Sequence, residues 1–349
     1  MKIAYLTDAV YPYNKGGKEK RLFEISTRLA KKGHDVHIYT MEWWKGSKII
    51  KENNVTLHAI SHLYPLYTRN GKRSIKEALA FSSYVFCALF KEDFDILDVD
   101  HMPYFPIFPA WLICKIKRKK MIVTWHEYWG DYWFDYLGWK GIFGYGVELV
   151  SSLFGKKIAI SGLTKKRILG KSQYIPNGVN ISLIQSVKPK RKFDVLFVGR
   201  LIKEKNVDLV ISSVKDKFKL GIIGKGPEEE RLMNLAQKYS NIAFLGDVKD
   251  QKEVYSYMKG AKVFAFPSER EGFGIVVLEA LVCGTPVLVL DAENNASRFL
   301  VDKEFVCKKE NFEEKLKTYV KSSSSLSFNR NKYNWGRIIK DIEGVYRSE

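Results

Sequence analysis

Residues 261–290, AKVFAFPSEREGFGIVVLEALVCGTPVLVL, carry the reading on which the fold turns. AKVFAFP is a short apolar run, Gly272 and Gly274 loosen a turn, FGIVVLEALVC is apolar on every side, and Gly284 stops it before PVLVL. Strand, loop, helix and strand in that order make a βαβ unit of a parallel sheet. The expected helix is buried all round, yet Glu279 sits in its middle, where a carboxylate is costly unless something polar meets it.

Glu271 lies in the loop eight positions earlier, just before a helix N-terminus whose amides and dipole favour an anion such as a pyrophosphate. With the helix opening near Gly274, Glu279 lies about 7 Å along its axis at about 1.5 Å per residue. Two hydroxyl-binding carboxylates then straddle a phosphate site, which suits a nucleotide sugar: hexose hydroxyls at one Glu, ribose hydroxyls at the other. Each Glu alone reads as a surface acid or a helix cap. Their pairing inside a glycine loop favours the ligand.

Working back from this unit, the second half alternates strand and helix: FDVLFVG, NVDLVISSV, KLGIIG, RLMNLAQKY, IAFLG and KEVYSYM. The loop RLIKEK follows the first of these strands, so Arg200 and Lys205, directly after Gly199, can both reach a diphosphate. On spacing alone the two read equally well as solvated charges. Upstream, NISLIQSVKPKRK is polar, basic and contains Pro189, and it reads as the joint between domains. Ser322–Ser327 reads as a second joint before a final helix, KYNWGRIIKDIEGVY.

The first half starts over with strand KIAYLT, Gly16 and Gly17 opening the helix KEKRLFEISTRLAKK, and strand DVHIYT. This second βαβ unit has its own glycine turn where open α/β sheets bind ligands, although a GG before a helix is also ordinary tight-turn chemistry. Strand VTLHAI, helix SIKEALAFSSYVFCALFKE and strand DFDILDVD follow. Asp98 and Asp100 have the spacing of a metal-binding DxD, but at a strand end they are expected to hydrogen-bond loop amides. Strand MIVTW then delivers His126 into HEYWGDYWFDYLGW, read as a loop of aromatics and acids, and a His at the end of a parallel strand is placed where chemistry sits.

The chain of 349 residues suits two domains, and 46% apolar residues with 14% aromatics suffice for two cores. Cys87, Cys114, Cys283 and Cys307 show no CxxC spacing and read as reduced core residues of a cytoplasmic protein. MKIAYLTDAV is too short an apolar run for a signal peptide. The most apolar window, residues 102–114, has three prolines and is too short to cross a bilayer. Net charge is +19, with +12 in residues 1–180 and +7 in the rest, which suits an anionic partner: nucleic acid, anionic lipid or a phosphorylated small molecule. The run KIKRKK, residues 115–120, complements a helix C-terminus, and docking on an anionic membrane is its second reading.

Taken together, GGKEKRLFEISTRLAKKGHDVHIYT, YIPNGVN, VGRLIKEKNVDLVI, IIGKGPEEERL and FPSEREGFGIVVLEALVCGTPV, with Glu271 and Glu279 as E-x7-E, resemble in order the segments of the retaining glycosyltransferases of family 4. The resemblance covers nearly the whole chain. It implies the GT-B fold, an α/β architecture of two facing Rossmann-like doubly wound parallel-sheet domains with a donor cleft between them. The domains are expected at 1–182, completed by the C-terminal helix 328–349, and at 190–325.

The resemblance also implies roles. Glu271 with the backbone of Gly272, Phe273, Gly274 and Ile275 would hold the transferred sugar and phosphate, and Glu279 the ribose. Arg200 and Lys205 would neutralise the diphosphate, with Gly199, Gly224 and Gly226 nearby on the donor side and Gly16 and Gly17 approaching from the first domain. His126 would contact the donor sugar beside the reaction centre. No metal and no cofactor is implied. The donor would be a UDP- or GDP-linked sugar and the acceptor a glycan or lipid-linked molecule at the cytoplasmic membrane face. Asn180 stands where the family usually has an acid, Gly336 where it often has Glu, and DAENNASRF, residues 291–299, where a glycine pair is common. A sugar-nucleotide epimerase of the same fold would turn over the donor with no acceptor. A noncatalytic binder of nucleic acid or anionic glycan would bind with a steep salt dependence and no need of Glu271, but no recognised nucleic-acid module is present.

Overall fold

The computed structural model describes residues 1–68, 72–322 and 328–348. The chain divides into two compact units, Met1–Asn177 with Trp335–Glu349, and Gly178–Asn334. The break therefore falls at Asn177, before the basic stretch expected to join the domains. Residues Ile181–Ser186 of that stretch form a short helix, opened by the Asn180 side chain accepting from the Leu183 amide at 3.1 Å. Of the expected serine joint, residues 323–327 lie outside the described residues.

The first unit holds strands β1 (Lys2–Leu6), β2 (Asp35–Met41), β3 (Ile49–Glu52), β4 (Val55–Ser61), β5 (Ile96–Asp100), β6 (Lys120–Trp125), β7 (Lys156–Ala159) and β8 (Ser172–Tyr174). Their order in the sheet is β3-β4-β2-β1-β5-β6-β7-β8, parallel except for the antiparallel edge strand β3. Strands β1, β5 and β6 are buried along nearly their whole length, as apolar runs covered on both faces must be. One face is covered by Leu22, Ile25 and Leu29 of the Gly17–Lys31 helix together with Trp335, Ile338, Ile339, Ile342 and Val345 of the last helix, Trp335–Arg347. Phe81, Val85 and Leu89, with Ile107, Ala110 and Ile113, cover the other. The chain leaves β1 in one direction to β2 and returns on its other side at β5, so the carboxyl ends of β1 and β5 flank a topological switch point.

The second unit holds β9 (Val195–Val198), β10 (Leu220–Ile223), β11 (Ile242–Gly246), β12 (Val263–Phe266), β13 (Arg270–Glu271), β14 (Val287–Leu290), β15 (Asn294–Asn295) and β16 (Val306–Cys307). Its main sheet, β11-β10-β9-β12-β14-β16, is parallel throughout, with its own switch point between β9 and β12. The expected βαβ unit is β12, the helix Ile275–Val282 and β14. The aromatic segment after His126 contains a helix, Tyr132–Leu137, where a loop was expected. Of the four cysteines, all free, Cys114 and Cys307 are buried while Cys87 is exposed, which corrects its reading as a core residue.

Candidate functional site

In the second unit the loops at the carboxyl ends of β9 and β12 are stitched together. The Glu269 amide donates to the Glu204 carbonyl at 2.9 Å, and the Asn206 side chain donates to the Pro267 carbonyl at 3.0 Å. Between these ties the Lys205 ammonium forms an ion pair with the Glu271 carboxylate and donates to the Ser268 hydroxyl at 3.2 Å. Its position 4.8 Å from the Phe266 ring centroid adds a cation–π contact. Arg200 is exposed in the loop that follows β9. Thus Lys205 and Glu271, predicted from different segments, are direct partners at the switch point.

Glu271 leads into Gly272, Phe273 and Gly274, and the helix opens at Ile275 with Gly274 as its N-cap at φ +90°. A Cβ on Gly274 would lie 2.6 Å from the Ser297 Cβ, so both conformation and space demand glycine. Phe273 is buried and anchors the loop. The divergent loop 291–299 braces the same turn: β15 pairs with β13, matching Arg270 to Asn294 and Glu271 to Asn295. Buried Asn295 donates to the Leu290 carbonyl at 3.0 Å and accepts from the Ser297 amide at 3.1 Å. The helix N-terminus, with its dipole, therefore faces a rigid glycine turn suited to an anion.

Glu279, buried as expected, finds its polar partners on the helix Gln251–Gly260. It accepts from the Tyr255 hydroxyl at 2.9 Å and from the Gln251 amide at 3.1 Å. Nearby, burial first and the Glu279 charge second push the Cys283 thiol up to about 12, so it stays protonated. Gly224 and Gly226 pack the end of β10 on the loop after β9: a Cβ would lie 1.9 Å from the Gly199 carbonyl oxygen at the first and 2.2 Å from that of Leu201 at the second. No local pattern points to Gln251, Tyr255, Asn295 or Ser297. Their contribution lies in contacts between segments.

The first unit holds a separate polar cluster at its switch point. Asp8, two residues past β1 and fully buried, forms ion pairs with Lys18 and Arg73. Lys18 also donates to the Met102 carbonyl at 3.0 Å and lies 3.5 Å from Asp100, while Arg73 lies 3.6 Å from Glu77. His126, at the carboxyl end of β6 as predicted, meets Asp100 through Nε2 at 2.9 Å. Asp98 accepts from the Thr124 hydroxyl at 2.8 Å and the Tyr346 hydroxyl at 2.6 Å. The expectation that Asp98 and Asp100 serve loop amides is thereby corrected: Asp98 meets the side chains of Thr124 and Tyr346, and Asp100 meets that of His126 through Oδ1 while its buried Oδ2 has no hydrogen-bond partner among the described residues. Among the described residues no group of three or more His, Cys, Asp or Glu could hold a metal ion.

Burial opposes ionisation of every acid in this cluster, and the neighbours decide the outcome. Burial would raise Asp8, but Lys18 and Arg73 hold it below the usual carboxylate range. Asp100 is likewise held well below that range, against burial, by Lys18 and His126. Glu77 has no such excess of cations, so burial and the Asp8 charge push it up. Burial pushes Asp98 up to about 7 despite its two hydroxyl donors. Burial, then His126, lowers His101, so its neutral Nδ1 accepts from the His126 amide at 3.3 Å. Gly16 is the N-cap and Gly17 the first residue of their helix, and the Glu19 carboxylate folds over Gly16, where a Cβ would lie 2.2 Å from its Oε2.

Comparison with known proteins bears on the family and the fold. Residues 181–335 match the family model described as glycosyl transferases group 1, and residues 15–183 match that of glycosyltransferase family 4. An uncharacterized glycosyltransferase of Methanocaldococcus jannaschii is 31% identical over 191 residues, 49% of this chain and 52% of that protein. The phosphatidyl-myo-inositol mannosyltransferase of Mycobacterium leprae is 28% identical over 218 residues, 58% of this chain and 56% of that protein. The matched stretch thus spans only about half the length of either relative. The structure of Anabaena HepE in complex with UDP is similar in fold, with a TM-score of 0.73 at 16% identity, covering 99% of each chain. The two models adjoin and together account for residues 15–335, and the chain belongs to the group 1, family 4 glycosyltransferases with the GT-B fold.

Proposed function

We propose that the protein transfers a hexose-type sugar from a UDP- or GDP-linked donor to a glycan, lipid-linked or glycolipid acceptor, with retention at the anomeric carbon and without a metal ion. The observation that carries this reading is the Lys205–Glu271 pair, tied between two loops at the switch point and followed directly by a glycine turn at a helix N-terminus. HepE, similar in fold, has been solved with UDP and with UDP-glucose, which supports a nucleotide-sugar donor. The Mycobacterium leprae relative is named for phosphatidyl-myo-inositol, a lipid, which supports a lipid-linked acceptor.

On this reading Glu271 and the amides of Phe273, Gly274 and Ile275 hold the sugar and its phosphate. Glu279, oriented by Tyr255 and Gln251, takes the ribose hydroxyls. Lys205 and Arg200 meet the charge that grows on the diphosphate as the sugar leaves, where fixed cations stabilise the transition state most. Before donor binds, Lys205 is neutralised by Glu271. The incoming diphosphate takes over that role and frees the carboxylate for sugar hydroxyls. His126, Gly16 and Gly17 serve the same reaction from the first unit. The donor phosphate accepts the acceptor's proton.

The test is a panel of UDP, GDP and ADP sugars with wild type and Glu271→Ala. One donor is expected to be turned over by wild type and about a hundredfold more slowly by the variant. Equal rates, or no turnover of any donor, overturn the reading.

A further inference from the structure

The segment after the aromatic helix carries an apolar face that nothing in the first unit covers. Trp139, Phe143, Gly146, Val150 and Leu153 recur at intervals of four, three, four and three residues, the repeat that lines one side of a helix. The helix Gly141–Ser151 occupies most of this segment. Trp139 is 74% exposed, Phe143 68% and Leu153 66%, and Ile142 beside them is 55% exposed. Scattered exposed leucines need no explanation, but a continuous exposed row including two aromatics marks an interaction surface.

The opposite side of this helix fixes which way the row points. A Cβ on Gly141 would lie 2.4 Å from the Trp133 carbonyl oxygen, and one on Gly144 would lie 2.3 Å from the Trp133 ring. Fully buried Glu148 accepts from the Tyr104 hydroxyl at 2.6 Å, from the amides of Trp129 and Gly130 at 2.8 Å each, and from the Trp133 indole at 3.2 Å. Rotating the helix to hide its apolar row would break these bonds and drive glycine-sized gaps onto bulky side chains. The row is therefore committed to the outside.

Charge identifies the occupant. Phe154, at the end of the row, packs on Phe108 and Trp111 of the helix Ile107–Lys117, with ring centroids 5.6 and 4.9 Å apart, so the two surfaces adjoin. Residues 107–120 and 138–157 together hold eight lysines and arginines and one acid, the buried Glu148. Lys119 is paired with Asp93, and Lys117, Lys120 and Lys156 hold backbone carbonyls, while Lys140 lies over the Trp139 ring at 5.8 Å and Lys115 over that of Trp111 at 5.9 Å. The nearest exposed acids along the chain before the row, Asp131 and Asp135, precede Trp139 by at least four residues. Paired symmetrically with a second copy, this face would set its own cations against themselves. An anionic bilayer offers both complements at once, acyl chains for the apolar row and headgroups for the basic rim.

We propose that the exposed face of residues 139–153, rimmed by Lys115 and Lys140, docks the protein on an anionic lipid surface. The proposal rests on the reading of a lipid-linked acceptor for its purpose, but its test involves no donor. Wild type, Trp139→Ala and the double variant Phe143→Glu with Leu153→Glu are sedimented with phosphatidylcholine vesicles with and without phosphatidylglycerol. Wild type is expected to bind the anionic vesicles in preference. The double variant should lose that binding about tenfold or more and Trp139→Ala part of it, both with unchanged circular dichroism and thermal midpoint. Absence of wild-type binding, or equal binding by all three, overturns the proposal. So does a wild-type dimer that the double variant converts to monomer, which would assign the face to a second copy. A failed donor panel with intact vesicle binding would sink the transfer reading alone.

Discussion

At the scale of single residues, the first unit surrounds His126 with groups whose charges are settled by their neighbours. The His126 ring is held by Asp100, and Asp100 is kept ionised by Lys18, so the imidazole orientation depends on a carboxylate that never contacts the donor in the proposed reaction. Such a partner fixes the ring and its proton while leaving binding to other residues. His126→Ala is expected to cut turnover about a hundredfold with UDP affinity nearly unchanged. Asp100→Asn, which keeps the shape and removes the charge, should lower kcat about tenfold with little change in KM. A loss of nucleotide affinity in either variant, read by calorimetry, would place His126 in a binding role instead.

At the scale of elements, the βαβ unit around Glu271 depends on contacts that no local pattern announces. The helix, both strands and the glycine turn were legible because apolar runs and glycines repeat locally, and Glu279 was legible as a carboxylate out of place. Tyr255 and Gln251, which meet it, sit on another helix about two dozen residues away in sequence. The same limit hid the pairing of Asp8 with Lys18 and Arg73, since nothing in the strand KIAYLT says which cations will converge on its end. The helix Gly141–Ser151 lies beyond the segment read as a loop, and its glycines blur the apolar repeat, yet Gly141 and Gly144 seat the helix flush against Trp133.

Two glycines flanking the Ile275–Val282 helix separate backbone strain from crowding. Gly274 at φ +90° would place a Cβ 2.6 Å from Ser297, while Gly284 at φ +83° has nothing within 4 Å. Gly284→Ala should therefore cost about 1–2 kcal/mol from backbone conformation alone. Gly274→Ala should cost more, about 2–4 kcal/mol, because the clash with Ser297 is added. Urea midpoints of the two variants check the order. Equal losses would show that the turn yields and that loop 291–299 does not brace it.

At the scale of the whole molecule, the two units differ in where their buried charge lies and hence in how pH acts on them. Each is a largely parallel sheet with its polar groups at the carboxyl ends of strands flanking a switch point, but the deeply buried acids that burial and neighbouring charges shift most lie in the first unit. Asp8 and Asp100 are depressed, so the stability they contribute is present above the ordinary carboxylate range and fades as pH falls through their folded values. Asp98 behaves oppositely. Its folded value is raised to about 7, so between its ordinary value of 3.8 and 7 the folded state binds more proton than the unfolded one. Stability from this group is full at low pH and declines as pH rises through that window, by at most about 1.4 kcal/mol per pH unit. Asp98→Asn keeps an acceptor for Tyr346 and Thr124 and cannot ionise. It is expected to flatten the decline between pH 5 and 7 without steepening the loss in acid, as read by thermal midpoints across that range. An unchanged profile would mean that Asp98 stays charged in the folded protein and that Arg21, which lies close enough to favour its charge, outweighs burial.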